Sequence, residues 1–140
     1  MPTLFHTSRF VEFSDTDMAG IMHFSAFFRF MEAAEHQLIR NLGFSVYTTV
    51  GGDVVSFPRV SASCDFHSPA KCEDVLEIDV TVERVGTKSV TYKFAFSQHG
   101  RDVATGSMTS VCCRVPHGEL PVSIAIPEEI AAKLRAMAAD

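Results

Sequence analysis

The segment 23–41 constrains the fold most, because it predicts a helix that is apolar around most of its circumference. Alanine, methionine, glutamate, leucine and arginine replace β-branched residues there, which favours helix over strand. A helix of this kind must be buried on several sides. Ser25 is a candidate N-cap, and Gly43 is well placed to end the helix. The apolar positions are Phe24, Phe27, Phe28, Phe30, Met31, Ala34, Leu38 and Ile39.

The rest of the chain predicts the sheet that covers this helix, because apolar and polar residues alternate along several short segments. Pro58 interrupts one of them, which indicates a sheet edge or a bulge. A short C-terminal helix is predicted over 128–139, with an acidic start that suits the helix dipole. The predicted strands cover residues 5–13, 54–66, 75–82, 89–97 and 103–115.

Tight turns link the later strands, so we expect an antiparallel sheet with one face covered by the long helix. The predicted fold class is α+β: a five-stranded antiparallel sheet around one long helix, followed by the short C-terminal helix. Residues 1–140 are expected to form a single domain. A single layer around one helix leaves a sheet edge and a helix flank exposed, which predicts an oligomer.

Composition argues against several classes of partner. The 140 residues are 46% apolar and 21% charged, which is ordinary for a soluble globular protein. The net charge of −5 and the scattered basic residues argue against nucleic acid. No apolar run is long enough to cross a bilayer, and residues 1–10 lack the apolar core of a signal peptide. We therefore expect a cytoplasmic protein that binds neither nucleic acid nor membrane.

The four cysteines, Cys64, Cys72, Cys112 and Cys113, show no metal-ligand spacing to one another or to a histidine. We interpret them as small apolar residues in a reducing compartment. The sequence also lacks the motifs of an α/β-hydrolase, a dinucleotide-binding loop and a P-loop. Neither a metal nor a cofactor is therefore expected.

The turn over residues 14–20 carries two carboxylates, Asp15 and Asp17, shortly before the long helix. Helix-end N–H groups can hold a carbonyl oxygen while a carboxylate works beside it, so this arrangement suits acyl-group chemistry. From the residues alone, Asp17 is either a turn or capping residue or a reactive carboxylate. Asp15 is interpreted as structural, bonding turn N–H groups. Gly20 is expected to supply a positive φ angle and to let a substrate approach the backbone.

The run 15–21, followed by aromatic residues and the helix, resembles the signature of the 4-hydroxybenzoyl-CoA thioesterase family. The members of this family are acyl-CoA thioesterases of the hotdog fold. Segments 68–70, 73–78 and 103–106 are similar to later parts of the family, and the likeness extends over residues 10–127. The resemblance implies a hotdog fold, in which the five antiparallel strands wrap around the long helix.

The resemblance also implies a site and an assembly. Active sites are expected at the interface of a homodimer whose two sheets join edge to edge, and such dimers often pair into a homotetramer. Asp17 matches the family's essential carboxylate, which acts as nucleophile or as general base. The backbone N–H groups around His23, Phe24 and Ser25 at the helix start would stabilise the oxyanion, and that of Phe24 would polarise the thioester carbonyl. His23 would orient the substrate, donate a proton to the leaving thiolate or only cap the helix.

The phosphates of CoA call for basic side chains, and three are candidates: Arg59, Arg84 and Lys88. The family's fuller basic cluster is absent from the turn that precedes Lys88. Two helix carboxylates, Glu32 and Glu35, are expected on the least buried face of the helix rather than at the reaction centre.

The leading hypothesis is hydrolysis of an acyl-CoA thioester to a free acid and CoA, with CoA as part of the substrate rather than a cofactor. One alternative is a non-catalytic acyl-CoA-binding protein on the same fold, and another is an acyl-carrier-protein thioesterase. A hotdog dehydratase fits less well, because its Asp and His are spaced differently from this turn. The sequence does not name the acyl group.

Overall fold

The computed structural model describes residues 3–138. In this part of the chain a short 3₁₀ turn, Phe13–Asp15, separates the first strand from the first helix. The helices are α1 (Ala26–Asn41) and α2 (Glu128–Met137). The strands are β1 (Leu4–Phe10), β2 (Thr48–Val50), β3 (Asp53–Ser56), β4 (Arg59–Phe66), β5 (Val75–Val85), β6 (Ser89–Gln98), β7 (Arg101–Val111), β8 (Cys113–Val115) and β9 (Val122–Ser123).

The predicted five-stranded antiparallel sheet is confirmed, with the strand order β1-β5-β6-β7-β4. Residues 75–82 of strand β5 alternate between buried and more exposed positions, as expected of a strand with one covered face. The outer strands are β1 and β4, and β4 pairs with β7 on one side only. Its other edge therefore presents unpaired backbone N–H and C=O groups among the described residues.

Helix α1 lies along the covered face of this sheet and supplies much of the core. Its fully buried side chains recur at intervals of three or four residues, which is the spacing of one helix face. Gly106 on β7 allows the helix to approach closely, because an added Cβ would lie 2.6 Å from the Met31 sulfur. The buried apolar residues of α1 are Ala26, Phe27, Phe30, Met31, Ala34, Leu38 and Ile39.

The helix runs alongside β4 in the opposite direction. At one end the rings of Phe27 and Phe66 pack edge to face, with centroids 5.2 Å apart. At the other end Arg59 forms an ion pair with Glu35. The start of α1 therefore lies near the end of β4, and its later turns lie near the start of β4.

A second, four-stranded sheet of order β2-β3-β8-β9 was not predicted. The predicted strand 54–66 is wrong as one element, because the chain leaves the small sheet at Ser56 and enters the main sheet at Arg59, across Pro58. The predicted strand 103–115 divides in the same way at Cys112, whose N–H donates to the Lys88 carbonyl at 2.7 Å instead of continuing the ladder.

The remaining boundaries differ by a few residues. The first strand ends at Phe10 rather than at residue 13, because residue 13 already belongs to the 3₁₀ turn. Helix α1 starts three residues later than predicted and ends at Asn41. Gly43 follows with a φ of +93°, as expected of the residue that ends a helix. The predicted end of the last helix at residue 139 lies outside the described residues.

Packing predicts a sharp contrast between two leucines. Leu38 is completely buried beneath the sheet, whereas Leu120 is 84% exposed in a loop. Leu38→Ala should lower the free energy of unfolding by about 2–5 kcal/mol, because it opens a cavity in the core. Leu120→Ala should change it by less than about 0.5 kcal/mol. Urea unfolding of both variants measures the difference, and equal effects would contradict this account of the core.

Candidate active site

The turn around Asp17 is closed by its own backbone. The Asp17 N–H donates to the carbonyl of Ile21 at 2.9 Å, and the Gly20 N–H donates to the carbonyl of Asp17 at 3.0 Å. One carboxylate oxygen of Asp17 accepts the N–H of Ala19 at 2.9 Å, which forms an Asx turn. The other oxygen has no partner within residues 3–138. Asp17 is thus both a turn residue and a half-exposed carboxylate with a free acceptor.

Gly20 is required by the conformation of this turn. Its φ is +81°, and residues other than glycine are strained in this region of backbone conformation. An added Cβ at this position would meet no atom within 4 Å, so crowding within the chain does not explain the glycine. The expected close approach of a substrate to Gly20 stays a prediction.

Asp15 holds the turn against the rest of the protein. It is only 9% exposed, and its carboxylate accepts the Glu12 N–H at 3.0 Å and a guanidinium N–H of Arg29 at 3.3 Å. Its backbone carbonyl accepts the N–H of His23 at 2.8 Å. All of these contacts are structural, in line with the interpretation of Asp15 from the sequence.

Three N–H groups at the start of α1 were predicted to face the substrate, and they differ in availability. The His23 N–H is taken by Asp15, and the Ser25 N–H donates to Nδ1 of His23 at 3.2 Å. The Phe24 N–H has no acceptor within the described part of the chain. Phe24 therefore provides the free donor among the three, at a helix N-terminus that favours negative charge.

His23 is fixed by its neighbours rather than free to rotate. Nδ1 lies 2.8 Å from the Ser25 hydroxyl, and the ring stacks on Phe24 with centroids 4.7 Å apart. Because Nδ1 accepts the Ser25 N–H, a neutral imidazole carries its proton on Nε2. Ser25 occupies the N-cap position, but its side chain makes no capping bond because its backbone is already helical and its hydroxyl pairs with His23.

Asp17 and Phe24 line the same cleft, which has a volume of about 410 Å³. The opposite wall comes from the end of β4 and the following turn, residues 66–70. The Met22 N–H donates to the Ala70 carbonyl at 2.7 Å, which joins the two walls. The sequence did not place Phe66 or His67 in the cleft, although the neighbouring segment 68–70 was one of those that resemble the family.

A second cavity, of about 270 Å³, lies near the other end of α1. Glu35 lines it and is only 3% exposed, so the prediction that Glu35 lies on the least buried face of the helix is wrong. The reason is Arg59, which reaches in from the start of β4 and pairs with this carboxylate. Glu32, one turn earlier, is exposed as predicted.

Burial sets the protonation of Glu35. It raises the pKa of this carboxyl to about 7, and the neighbouring charge of Arg59 opposes the rise only in part. The Ser110 hydroxyl donates to the second carboxylate oxygen at 3.4 Å. The same burial, together with Arg59, lowers the pKa of His36 beside it. Glu35 therefore titrates near neutrality while His36 stays uncharged.

The three basic residues assigned to CoA share one end of the main sheet. Arg59 pairs with Ser110 across the sheet, Ser110 with Val90, and Val90 with the end of β5, next to Arg84 and Lys88. The Asp17 cleft lies at the opposite end, beside Phe66. None of the three lines that cleft, and the guanidinium of Arg59 is already paired. Their role toward CoA stays a prediction.

Other site classes leave no trace in the part of the chain described. All four cysteines are free thiols. Residues 3–138 contain no group of three or more histidine, cysteine, aspartate or glutamate side chains placed to hold a metal ion. No helix within these residues is long and apolar enough to cross a membrane.

Comparison with known proteins identifies the family. The profile of the thioesterase-like superfamily matches residues 11–134. This chain belongs to that superfamily.

Relatives and solved structures agree with this membership. A 1,4-dihydroxy-2-naphthoyl-CoA hydrolase from Thermosynechococcus vestitus is 27% identical over 128 residues, covering 91% of this chain and 86% of its own length. The crystal structure of a 1,4-dihydroxy-2-naphthoyl-CoA thioesterase from Synechocystis superposes with a TM-score of 0.82 at 24% identity, covering 94% of this chain and 96% of that one. A gentisyl-coenzyme A thioesterase structure gives 0.77 at 25% identity, covering 94% and 99%.

These matches confirm the hotdog fold and the enzyme class expected from the sequence, a thioester hydrolase. The resemblance is confirmed at the level of the superfamily. Membership of the narrower 4-hydroxybenzoyl-CoA thioesterase family stays a prediction.

The raised pKa of Glu35 predicts how stability depends on pH. The unfolded carboxyl loses its proton near pH 4.5, whereas the folded one keeps it up to about pH 7. Stability should therefore fall as pH rises through this window, by on the order of 1–3 kcal/mol, and then level off above it. Glu35→Gln should remove this contribution to the pH dependence, whereas those of His6 and His36 remain.

Chemical denaturation of the wild type and of Glu35→Gln at several pH values between 4.5 and 8 checks this prediction. Glu83→Gln is the control, because Glu83 is 46% exposed, pairs with Lys93 and does not line the Glu35 cavity. An identical pH slope in the wild type and in Glu35→Gln would contradict the assignment of the titration to Glu35.

Proposed function

We propose that this chain hydrolyses an acyl-CoA thioester to a free acid and CoA in the Asp17 cleft. One observation carries the proposal: the Asp17 carboxylate and the Phe24 N–H at a helix N-terminus line the same cleft, and within residues 3–138 one carboxylate oxygen and this N–H have no partner. Thioester hydrolysis needs both groups, one to deliver the nucleophile and one to stabilise the oxyanion.

In the proposed reaction the thioester carbonyl oxygen accepts the Phe24 N–H. The helix N-terminus stabilises the negative charge that develops on that oxygen. Asp17 either attacks the carbonyl carbon or removes a proton from a water that attacks it. The carbon–sulfur bond then breaks and CoA leaves as a thiolate. In the first route water later hydrolyses the acyl-aspartate, so both routes end in the free acid and CoA.

The neighbours of Asp17 have supporting roles in this scheme. Its Asx turn holds one carboxylate oxygen, so the free oxygen keeps a defined direction. Nε2 of the fixed His23 is the donor that would deliver a proton to the leaving thiolate. Gly20 has no side chain, so the turn leaves the approach to the backbone open.

The names of the relatives support CoA as the carrier of the acyl group. The hydrolase and thioesterases compared above are named for 1,4-dihydroxy-2-naphthoyl-CoA and gentisyl-CoA. Both of these acyl groups are aromatic and hydroxylated. The aromatic walls of the cleft, Phe24, Phe27 and Phe66, would accept such groups. We therefore favour CoA over an acyl carrier protein.

We further infer that the working unit is a homodimer joined along β4. This strand is an outer strand of the main sheet, and its exposed residues include the apolar side chains of Val60 and Phe66. An open edge of this kind pairs readily with a second copy of itself. Pairing of such dimers into a homotetramer and a cytoplasmic location stay predictions.

Replacing Asp17 tests the proposed reaction. Asp17→Asn should lower kcat by at least about a thousandfold, because the amide neither attacks the carbonyl nor removes a proton. The side-chain oxygen can still accept the Ala19 N–H, so the fold and the oligomeric state should not change. Release of free thiol from a panel of aromatic, short, branched and long acyl-CoAs measures the effect.

Asp53→Asn is the matched control, since Asp53 forms an ion pair with Arg114 and neither residue lines the cleft. Its activity should equal that of the wild type. Near-normal turnover by Asp17→Asn would overturn the catalytic assignment. Tight binding of acyl-CoA by the wild type without thiol release would instead favour the non-catalytic binding protein.

A further inference from the structure

The cavity that contains Glu35 has the construction of a binding site. Most of its exposed lining surface is apolar, and its volume of about 270 Å³ exceeds the roughly 150 Å³ of an engineered apolar cavity that holds benzene. The space therefore suits a group of one or two rings. The apolar lining residues are Ile39, Phe44, Val46, Phe57, Pro58 and Ile130.

Charged and polar groups meet at one place in this cavity. Arg59 donates to Glu35, to the Phe57 carbonyl at 2.7 Å and to Nε2 of His36 at 3.3 Å. The carboxylate of Glu35 accepts from Arg59 and from Ser110, which leaves room for a further donor. A ligand thus meets an acceptor and a donor side by side.

This pair of groups selects the chemistry of a ligand. A hydroxyl donates to the Glu35 carboxylate and accepts from the Arg59 guanidinium, so it satisfies both. An acidic group would be repelled by Glu32 and Glu35, which line the same cavity. A plain hydrocarbon would displace water from the ion pair and replace none of its hydrogen bonds. The cavity therefore suits a ring-sized group that carries a hydroxyl.

Within one chain this cavity is too far from Asp17 to take part in the same reaction. Arg59 begins β4, whereas Phe66, which lines the Asp17 cleft, ends it. The strand rises by about 3.3 Å per residue, so the seven steps from Arg59 to Phe66 separate the two sites by about 23 Å. A one- or two-ring acyl group does not span that distance.

A second copy removes this separation. Two β4 edges that pair antiparallel about the midpoint of the strand bring the Arg59 of one copy beside the Phe66 of the other. The Glu35 cavity of one copy then adjoins the Asp17 cleft of the other. The same two-fold arrangement carries Arg84 and Lys88 toward the partner's cleft, because they share the Arg59 end of the sheet.

We propose that Glu35 and Arg59 of a second copy bind a hydroxyl on the ring-sized acyl group whose thioester lies at Asp17. This inference rests on the proposed function and adds the residues that recognise the acyl group. Each active site then contains the reacting groups of one chain and the acyl-recognition groups of its neighbour. A single chain holds both halves but cannot combine them.

The first experiment measures selectivity between 4-hydroxybenzoyl-CoA and benzoyl-CoA, which differ by one hydroxyl. The wild type should favour the hydroxylated thioester in kcat/KM. Glu35→Leu should lower this preference by about tenfold or more, and Glu35→Gln by less, because the amide still accepts a hydrogen bond. Glu83→Gln is the control, since Glu83 forms an exposed ion pair with Lys93 and lines neither site; its preference should not change.

The second experiment decides whether Glu35 acts from the neighbouring chain. Asp17→Asn and Glu35→Leu chains are co-expressed with different affinity tags, and the mixed oligomer is purified through both tags. If the site is shared, the surviving Asp17 is served by the intact Glu35 of its partner. The mixed oligomer should then move toward the wild-type preference for the hydroxylated thioester.

The outcomes separate this inference from the proposed function. Absence of turnover with every acyl-CoA tested would overturn the proposed function itself. Turnover with the same preference in the wild type and in Glu35→Leu would overturn the role of Glu35 alone. A mixed oligomer with the preference of Glu35→Leu would overturn recognition from the second copy. Size-exclusion chromatography with light scattering on each variant confirms that the oligomer persists.

Discussion

The packing of α1 against the main sheet is the interaction on which the rest of the structure depends. It buries seven apolar side chains of the helix, and Gly106 lets the helix come close to β7. Because α1 and β4 run side by side in opposite directions, the helix has a separate contact with each end of that strand. Phe27 meets Phe66 at one end, and Glu35 meets Arg59 at the other. Burial of the helix therefore positions both cavities.

At the start of the helix, the hydrogen bonds between neighbouring residues leave one Asp17 oxygen and the Phe24 N–H available. The Asp15 carbonyl accepts the His23 N–H, and Nδ1 of His23 accepts the Ser25 N–H, so the donors on either side of Phe24 are used internally. The Phe24 N–H between them has no acceptor among residues 3–138. One carboxylate oxygen of Asp17 accepts a hydrogen bond within its own turn, and the other oxygen stays available to a substrate or a water. The two free groups thus depend on neighbours whose own role is structural.

The sequence predicted the elements that depend on local residue patterns. It missed the features that depend on contacts between residues far apart in the chain. Strict alternation identified β5 and β6, and the apolar pattern identified α1, because periodicity reports burial directly. The small sheet escaped prediction, since β8 continues the strand pattern of β7 and only the Cys112–Lys88 hydrogen bond separates them. The cleft residues Phe66 and His67 were missed because they are distant from Asp17 in the sequence and come close to it only when the chain folds. Glu35 was misplaced for the same reason: its partner is 24 positions away.

A buried ion pair such as Glu35–Arg59 needs a reason beyond stability. The free energy lost by moving two charges out of water is about as large as the free energy gained from their attraction. A protein with a well-packed apolar pair in the same place is often at least as stable. Here the cost is visible in the pKa of Glu35, which burial raises to about 7 despite the adjacent guanidinium. The pair lies at the wall of an open cavity, which a ligand can enter. In the closed core of the protein the same pair would meet no ligand. The burial of this pair is unfavourable for stability, and both residues line a cavity, which favours the proposed role in recognition over a role in folding.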